Sequence, residues 1–310
     1  MKKIEIFSHN PVLLKECVEG LGIKPEGIYV DATVGGAGHS IEIARKLESG
    51  KLFAFDRDPD AVSVSKKRLS SYPAFVINSN FCEMKKRLED REIRQVDGIL
   101  IDLGVSSYQL DNPKRGFSYR HDGALDMRMS KQGVTAAEIV NKFSEEELIE
   151  ILKKYGQERF ARSIAANIIK RRSQKLIETT LDLANIIKFS IPAKFRRRKN
   201  PCKKSFQAIR IVVNGELESL KIGLEDAFDL LKAGGRLVVI TFHSLEDRLV
   251  KQKYKIWSRG CVCPPKSPIC VCGNVPRAKI VNKKAIRPSD LEIATNPRSK
   301  SAKLRILEKL

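Results

Sequence analysis

The chain of 310 residues lacks the features that define several classes of protein. No apolar run reaches the roughly 18 residues that a membrane-spanning helix requires. Residues 1–10 contain no apolar segment of the kind found in signal peptides. Seven cysteines are too few for a disulfide scaffold in a chain of this length, and the odd number indicates free thiols. We therefore expect a cytoplasmic protein that does not associate with membranes.

Acidic residues are scarce relative to basic ones: 37 Asp and Glu stand against 58 Lys and Arg, a formal net charge of +21. The excess lies in two blocks, residues 151–210 with net +14 and residues 251–310 with net +12, and the rest of the chain is net −5. Blocks of this kind are typical of a surface that faces phosphates, because each neutralised phosphate releases counterions. A solvated basic surface is the alternative, and nucleic acid is the predicted partner.

The composition, 42% hydrophobic and 31% charged, is that of a globular protein. Short apolar runs predict six strands, at residues 28–33, 52–56, 74–78, 97–103, 235–242 and 302–307. Helical patterns between the early strands indicate an α/β fold with a doubly wound parallel sheet. Residues 136–188 show helical spacing without a strand signal, which predicts an inserted helical domain. The predicted parts are a sheet domain at 1–113 and 208–310, split by an insert at 114–207.

A glycine-rich turn follows the first predicted strand, and it contains Gly35, Gly36, Ala37, Gly38 and His39. Glycines at this place allow a ligand to approach the backbone closely. The turn lacks the third glycine of the dinucleotide fingerprint, and no Lys followed by Ser or Thr completes a Walker loop. A plain strand-to-helix turn is the alternative interpretation.

Asp56 ends the second predicted strand, where a carboxylate can hydrogen-bond a ribose diol. Capping of the next helix is the alternative for such an acid, but Asp58, beside Pro59, is better placed for it. Together with the glycine turn, Asp56 favours S-adenosylmethionine over NAD as the cofactor.

The fourth predicted strand finishes with Asp102 and Leu103, which places Asp102 at the edge where open α/β sheets bind their ligands. A carboxylate there could orient an attacking amine and accept its proton. Asp126 and His243 are reserve candidates. Asp126 could instead pair with Arg128, and His243 could instead cap the helix that carries Glu246.

Four cysteines form two C-x-C pairs separated by six residues: Cys261, Cys263, Cys270 and Cys272. Four thiolates on a short loop could bind a structural zinc ion. The spacing differs from the usual C-x-x-C knuckle, so free thiols remain the alternative.

A basic cluster lies near Pro192 and Pro201, which predicts a loop that contacts an RNA backbone. Its candidate RNA-binding residues are Arg196, Arg197, Arg198, Lys199, Lys203 and Lys204. Three aromatic residues nearby, Phe189, Phe195 and Phe206, are predicted to be buried anchors of this loop, with base stacking as the alternative.

The motifs along nearly the whole chain resemble those of the RsmH (MraW) methyltransferases, which modify the exocyclic amine of a cytidine in small-subunit ribosomal RNA. The matching segments are residues 31–40, 56–59, 97–107, 109–111, 115–118, 125–129, 206–214, 242–248 and 296–298. The resemblance implies a Rossmann-like S-adenosylmethionine-dependent methyltransferase fold with an inserted helical domain. It also implies that Ala37, Gly38, His39, Asp56, Phe81, Asp102 and Gln109 line the cofactor site.

The resemblance further implies N4 methylation of a cytidine in the decoding region of 16S ribosomal RNA within the small subunit. Amino-methyltransferases that act on bases often carry Asp or Asn, Pro, Pro and an aromatic residue where this chain has Asp102, Leu103, Gly104 and Val105. This departure leaves the catalytic base open. An RNA-binding assembly factor, a methyltransferase that acts on protein or DNA, and a homodimeric state also remain open.

Overall fold

The structure is a computed structural model that describes residues 11–196, 200–264 and 269–310. One seven-stranded sheet is formed by β1 (Ile28–Asp31), β2 (Lys51–Asp56), β3 (Ala74–Asn78), β4 (Val96–Asp102), β5 (Leu231–Thr241), β6 (Ala278–Ile280) and β7 (Lys303–Lys309). The spatial order is β3-β2-β1-β4-β5-β7-β6. The first five strands are parallel, and β7 runs antiparallel between β5 and β6. Strand order reverses between β1 and β4, and doubly wound sheets bind ligands beside the carboxyl ends at such a point.

The sheet belongs to a compact unit, called here the sheet unit, that contains residues 11–104 and 218–310. Its helices are α1 (Leu14–Leu21), α2 (Gly38–Ala44), α3 (Pro59–Arg68), α4 (Met84–Glu89), most of α12 (Glu216–Leu230), α13 (Ser244–Trp257) and α14 (Asp290–Thr295). Helix α3 shows how the sequence sets a boundary: Asp58 Oδ1 accepts a hydrogen bond from Asp60 N at 3.0 Å, and Pro59 occupies the first turn. The core includes the only tryptophan, Trp257, whose ring stacks on Phe228 at 4.3 Å.

Residues 105–217 form a second compact unit, called here the helical unit. Its helices are α5 (Ser107–Asp111), α6 (Ala136–Lys142), α7 (Glu145–Lys154), α8 (Ala161–Arg172), α9 (Thr180–Ser190), α10 (Ala193–Arg196) and α11 (Lys203–Asn214). Capping boxes begin α6, between Thr135 and Glu138, and α7, between Ser144 and Glu147. The predicted insert, 114–207, has narrower bounds than this unit. Its end at 207 cuts α11, although Ile209 packs in the same core as Phe206.

All six predicted strands are present, with bounds that differ by a few residues, and β5 begins four residues earlier than predicted. Strand β6 escaped prediction because its three residues are too few for an alternating pattern to be recognised. The helices in the described ranges include none that is long and apolar enough to cross a membrane.

Candidate active site

Three carboxylates end three neighbouring parallel strands of the sheet unit. Asp31 is the last residue of β1, Asp56 of β2 and Asp102 of β4. Because β2, β1 and β4 are adjacent, the carboxyl ends of these strands meet at one edge of the sheet. Two of the three, Asp56 and Asp102, are the acids that the sequence singles out for the cofactor and the chemistry.

The glycine-rich turn connects β1 to α2 at this edge. Gly35 has φ +47 and Ala37 has φ 65, so the backbone is left-handed at both positions. Gly38 is required for a different reason: a Cβ atom there would lie 2.4 Å from Cγ of Pro11. The carbonyl of Gly36 accepts a hydrogen bond from Arg68 Nη1 at 2.7 Å.

Asp56 holds the turn in place. Its Oδ2 accepts a hydrogen bond from Gly35 N at 2.9 Å, and its Oδ1 accepts one from Asp58 N at 2.8 Å. Burial raises the pKa of Asp56 to about 6, against the opposing effect of these two N–H donors. A carboxylate has about four acceptor positions, so Asp56 retains capacity for the hydroxyls of a ribose.

Asp31 and Thr33 form hydrogen bonds that stabilise the carboxyl edge of the sheet. Asp31 is 1% exposed, and its carboxylate accepts hydrogen bonds from Ser40 Oγ at 2.6 Å and Thr33 N at 3.1 Å. Burial raises the pKa of Asp31 to about 6 despite these donors. Thr33 Oγ1 in turn accepts a hydrogen bond from Asp102 N at 2.7 Å, so it fixes the end of β4. Sequence patterns do not single out Thr33, since a hydroxyl in a turn carries no signal of its own.

Asp102 has one carboxylate oxygen without a protein partner. Its Oδ1 is buried and makes no hydrogen bond within the described ranges, although the side chain as a whole is 24% exposed. Its Oδ2 lies 3.8 Å from Nδ1 of His39, whose Nε2 lies 3.0 Å from the carbonyl oxygen of Val12. Burial, followed by the charges of Asp31 and Glu246, raises the pKa of Asp102 well above its usual range. A buried acceptor without a partner calls for an explanation, and a bound ligand supplies one.

Phe81 begins a short 3-10 helix, Phe81–Glu83, after β3. Its ring lies against Gly223 of α12, where a Cβ atom would come within 2.4 Å of the ring. Helix α12 therefore carries a glycine at the point where the aromatic ring crosses it.

The structure places His243 at the N-cap of α13. Its Nδ1 accepts a hydrogen bond from Glu246 N at 3.4 Å, and its Nε2 lies 3.0 Å from Glu246 Oε1 without the alignment of a hydrogen bond. Glu246 also accepts a hydrogen bond from His243 N at 3.2 Å, which completes a capping box. These contacts give His243 the structural role that the sequence left open beside a catalytic one.

Two other candidates, Asp126 and Gln109, belong to the helical unit. Asp126 forms a bidentate pair with Arg128, at 2.9 Å to Nε and 2.7 Å to Nη2. Burial raises the pKa of Asp126, but the Arg128 hydrogen bonds outweigh it and the net shift is downward. A carboxylate held in this way is a weak proton acceptor. Gln109 makes a capping box with Ser106 at the start of α5, which explains its burial.

Three residues of the basic cluster lie in helices and not in the predicted loop. Arg196 lies in α10, and Lys203 and Lys204 form the first turn of α11, so the prediction of a continuous loop is wrong. Lys203 and Lys204 are exposed, and Lys204 Nζ donates to the carbonyl of Gln157 at 2.9 Å. Arg197, Arg198 and Lys199 lie outside the described residues.

Of the three aromatic residues near this cluster, only Phe206 is a buried anchor. Phe189 is 70% exposed and Phe195 is 41% exposed, so the predicted burial of these two is wrong. Cations lie over both rings: Arg196 over Phe189 at 5.5 Å, and Lys194 over Phe195 at 5.2 Å. The spacing of these residues predicted buried anchors, but Phe189 on α9 and Phe195 on α10 are exposed to solvent.

The family model of the MraW methylase family matches residues 6–310 of the chain. The chain belongs to this family. It is 50% identical to ribosomal RNA small subunit methyltransferase H of Clostridium botulinum (strain Kyoto / Type A2) over 307 residues, which is 98% of this chain and 99% of that protein. It is 52% identical to the protein of the same name in Carboxydothermus hydrogenoformans, over 98% of each chain. A solved rRNA methylase from Streptococcus thermophilus shows 12% identity and a TM-score of 0.42 over 98% of this chain and 99% of that one.

The residues at the sheet edge fit S-adenosylmethionine, the cofactor of a methylase with this fold. The space above Gly35 is open, since a Cβ atom there would have only Thr33 O within 4 Å, at 3.9 Å. Asp56 presents carboxylate acceptors at the adjacent strand end, and Asp102 presents the buried Oδ1, which has no hydrogen-bond partner among the described residues. Backbone groups can therefore approach the ligand at the turn, while the two acids provide polar contacts.

Proposed function

We propose that this chain methylates the exocyclic N4 amine of a cytidine in the decoding region of 16S ribosomal RNA, with S-adenosylmethionine as the methyl donor. Family membership and the names of its relatives support a small-subunit ribosomal RNA methyltransferase. The observation that supports the chemical step is Oδ1 of Asp102 at the carboxyl edge of the sheet, which accepts no hydrogen bond from the part of the chain that the structure describes. An acceptor of this kind suits an amine, which brings two N–H donors to the reaction.

The cofactor-binding part of the proposal uses residues of the glycine turn and the neighbouring strand ends. When bound, S-adenosylmethionine supplies an electrophilic methyl group on a positively charged sulfur. Gly35, Gly36, Ala37 and Gly38 offer backbone that a ligand can approach, and Asp56 accepts hydrogen bonds from the ribose hydroxyls. Phe81 offers an aromatic ring for the adenine. Gln109, at the start of α5, is proposed as a further cofactor-binding residue on the family resemblance alone.

Asp102 is proposed to act on the cytosine amine. Its Oδ1 accepts a hydrogen bond from the amine and takes a proton as the new N–C bond forms. The raised pKa of Asp102 makes this carboxylate a better proton acceptor than an exposed one. Thr33 and His39 position the group: Thr33 Oγ1 accepts from the Asp102 backbone at 2.7 Å, and the His39 ring confines Oδ2. The target base must be unpaired or leave its stack to reach this position.

The helical unit offers a surface for single-stranded RNA. Exposed rings at Phe189 and Phe195 provide flat faces for bases, and Arg159 and Lys194 each lie 5.2 Å from the Phe195 ring. Aromatic faces beside cations are the usual means by which proteins hold unpaired bases and their backbone. The predicted RNA-binding residues Arg196, Lys203 and Lys204 lie in the adjoining helices, and Arg197, Arg198 and Lys199 belong to the same stretch of sequence.

The sheet unit offers a second basic surface. A cleft of about 350 Å³ is lined by Lys251, Lys283, Lys284, Ala285, Arg287, Lys303 and Arg305. Asp247 pairs with Lys303 and Arg305 at 2.7 Å each, so the cleft retains a large positive excess. Phosphates of structured RNA are its proposed ligands, because recognition of this kind depends on charge and shape.

The test is transfer of labelled methyl to small ribosomal subunits from a strain that lacks this gene, followed by nucleoside analysis. We expect labelled N4-methylcytidine. Asp102→Asn should lower the rate at least about 100-fold, the range of a positioned general base, with little change in RNA binding.

Asp97→Asn, at the opposite end of β4, is the matched control and should keep the activity. Label in protein or DNA would contradict the proposed substrate. Binding of RNA without any transfer would favour the assembly-factor hypothesis.

A further inference from the structure

The segment between α13 and β6 brings four cysteine sulfurs together on the surface of the sheet unit. The Sγ atoms of Cys261, Cys263, Cys270 and Cys272 all lie within 4.8 Å of one another. The Cys261–Cys270 separation is 3.3 Å, Cys270–Cys272 is 3.6 Å and Cys261–Cys272 is 3.7 Å. The sequence left zinc and free thiols open as alternatives for these residues, and the convergence of all four sulfurs discriminates between them.

The separations do not indicate disulfides. A disulfide has its sulfurs about 2.05 Å apart, which is well below the three separations given above, and all four cysteines are free. Four thiolates around a zinc ion, with Zn–S bonds of about 2.3 Å in a tetrahedron, lie about 3.8 Å from one another. The three measured separations fall close to that value.

The local chain is also arranged like a ligand loop. Val262 N donates a hydrogen bond to Cys272 Sγ at 3.3 Å, so backbone from one C-x-C pair contacts a sulfur of the other. Asn274 Nδ2 closes the base of the loop by donating to the carbonyls of Arg259 and Gly260, at 2.9 and 2.7 Å. Sulfur that accepts N–H groups is the arrangement expected of a thiolate that binds a metal, in which outer contacts orient the ligands.

An apolar core does not hold this loop together. Its described hydrophobic side chains point to solvent: Ile269 is 73% exposed, Val271 is 86% exposed and Val275 is 68% exposed. Small segments that cannot build a core usually depend on a disulfide or a metal for a fixed shape. Since the sulfur separations exclude the first, the second explains why four thiols meet at an exposed place.

We infer that Cys261, Cys263, Cys270 and Cys272 bind one zinc ion that cross-links the loop between α13 and β6. Four thiolate ligands fill a tetrahedral site and leave no position for a substrate, so the ion is structural. This inference does not depend on the proposed methyl transfer, since the loop shares no residue with the carboxylates at the sheet edge.

The experiment is metal analysis of the full chain, purified under reducing conditions without chelator. We expect one zinc per chain. Cys261→Ser together with Cys270→Ser should reduce it to near zero, whereas Cys82→Ser, a half-buried thiol elsewhere in the sheet unit, should retain it.

The unchanged chain supplies a measurement that does not depend on whether the double variant folds. After removal of metal and reduction, it should bind Co²⁺ at one ion per chain with the absorption of tetrahedral thiolate coordination, and Zn²⁺ should displace that ion. Failure of the reduced chain to bind either ion, or iron in place of zinc in the purified protein, would overturn the inference. Loss of zinc from Cys82→Ser to the same extent would also overturn it.

Discussion

We predict that Asp31→Asn stabilises the sheet unit at neutral pH and lowers the pKa of Asp102. Asp31 is 1% exposed, and its carboxylate receives hydrogen bonds from Ser40 Oγ and Thr33 N. Asparagine can keep both contacts, because its oxygen can accept from Thr33 N and its amide can donate to Ser40 Oγ. The substitution therefore removes a buried negative charge with little change in packing.

The magnitude follows from the pKa of Asp31, which burial raises from 3.8 to about 6. The folded chain holds this proton more tightly than the unfolded chain, so unfolding releases it and stability falls as pH rises between those values. A shift of about two pKa units corresponds to a loss of about 3 kcal/mol in the free energy of unfolding above pH 6. The free energy of unfolding of the asparagine variant should equal that of the unchanged chain below about pH 4. At pH 7 it should be higher by about 3 kcal/mol. That gain is large beside a total stability of roughly 5–15 kcal/mol.

Urea denaturation between pH 4 and 8, followed by the fluorescence of Trp257, measures the effect in the unit that contains Asp31. Trp257 is the only tryptophan and is 1% exposed, so its emission reports unfolding of the sheet unit.

Asp97→Asn is the control with the opposite sign. Burial raises the pKa of Asp97, but the hydrogen bond from Lys232 and that from Ile28 N outweigh it and lower the pKa overall. Its stabilising effect is present above the unfolded pKa and is lost as pH falls. Its removal should therefore destabilise the protein at pH 7.

The reasoning would be refuted if Asp31→Asn left the pH dependence of the free energy of unfolding unchanged. A variant that is less stable than the unchanged chain at pH 7 would also refute it. The same variant tests the coupling to the site, since the charge of Asp31 is one cause of the raised pKa of Asp102. The pKa of Asp102 should fall when that charge is removed, and the acidic limb of the methyl-transfer pH profile should move to lower pH. If the acidic limb does not move, the group that titrates in the pH profile is not Asp102.

Three further predictions concern cofactor binding, folding stability and RNA binding. Asp56→Ala should weaken S-adenosylmethionine binding about 10- to 100-fold in calorimetry, as expected for lost hydrogen bonds to a charged group, without changing RNA affinity; an unchanged affinity would exclude the ribose role. Gly223→Ala should destabilise the protein, because overpacking against Phe81 costs about 1–3 kcal/mol and the gain in helix propensity is only about 1 kcal/mol. Thermal melts should show a lower melting temperature for the variant, and a higher one would contradict the prediction. Phe189→Ala should weaken RNA binding by about 1–3 kcal/mol with no change in its salt slope, whereas Arg196→Ser should reduce that slope by about 0.7; equal salt slopes in both variants would contradict the division of roles.

The fold and the strand-end acids could be predicted because their signals are local. Apolar runs of five to seven residues mark buried parallel strands, and the residue that ends such a run must lie at the sheet edge. Asp56 and Asp102 were found in this way. Phe81 and Gln109 carry no such local signal, and only resemblance to a family implied roles for them.

The alternating strands and helices, the two basic blocks and the residues at the strand ends can be predicted without coordinates, since each depends on spacing along the chain. Which groups lack a partner and which side chains reach solvent follows only from the packing of the elements. Within the described residues, packing leaves Asp102 Oδ1 without a hydrogen bond, pairs Asp126 with Arg128 and brings four cysteine sulfurs together. It also exposes Phe189, which its spacing near the basic cluster predicted to be buried. The physical reason is that burial and pairing depend on neighbours from distant parts of the chain, and these become neighbours only when the elements pack.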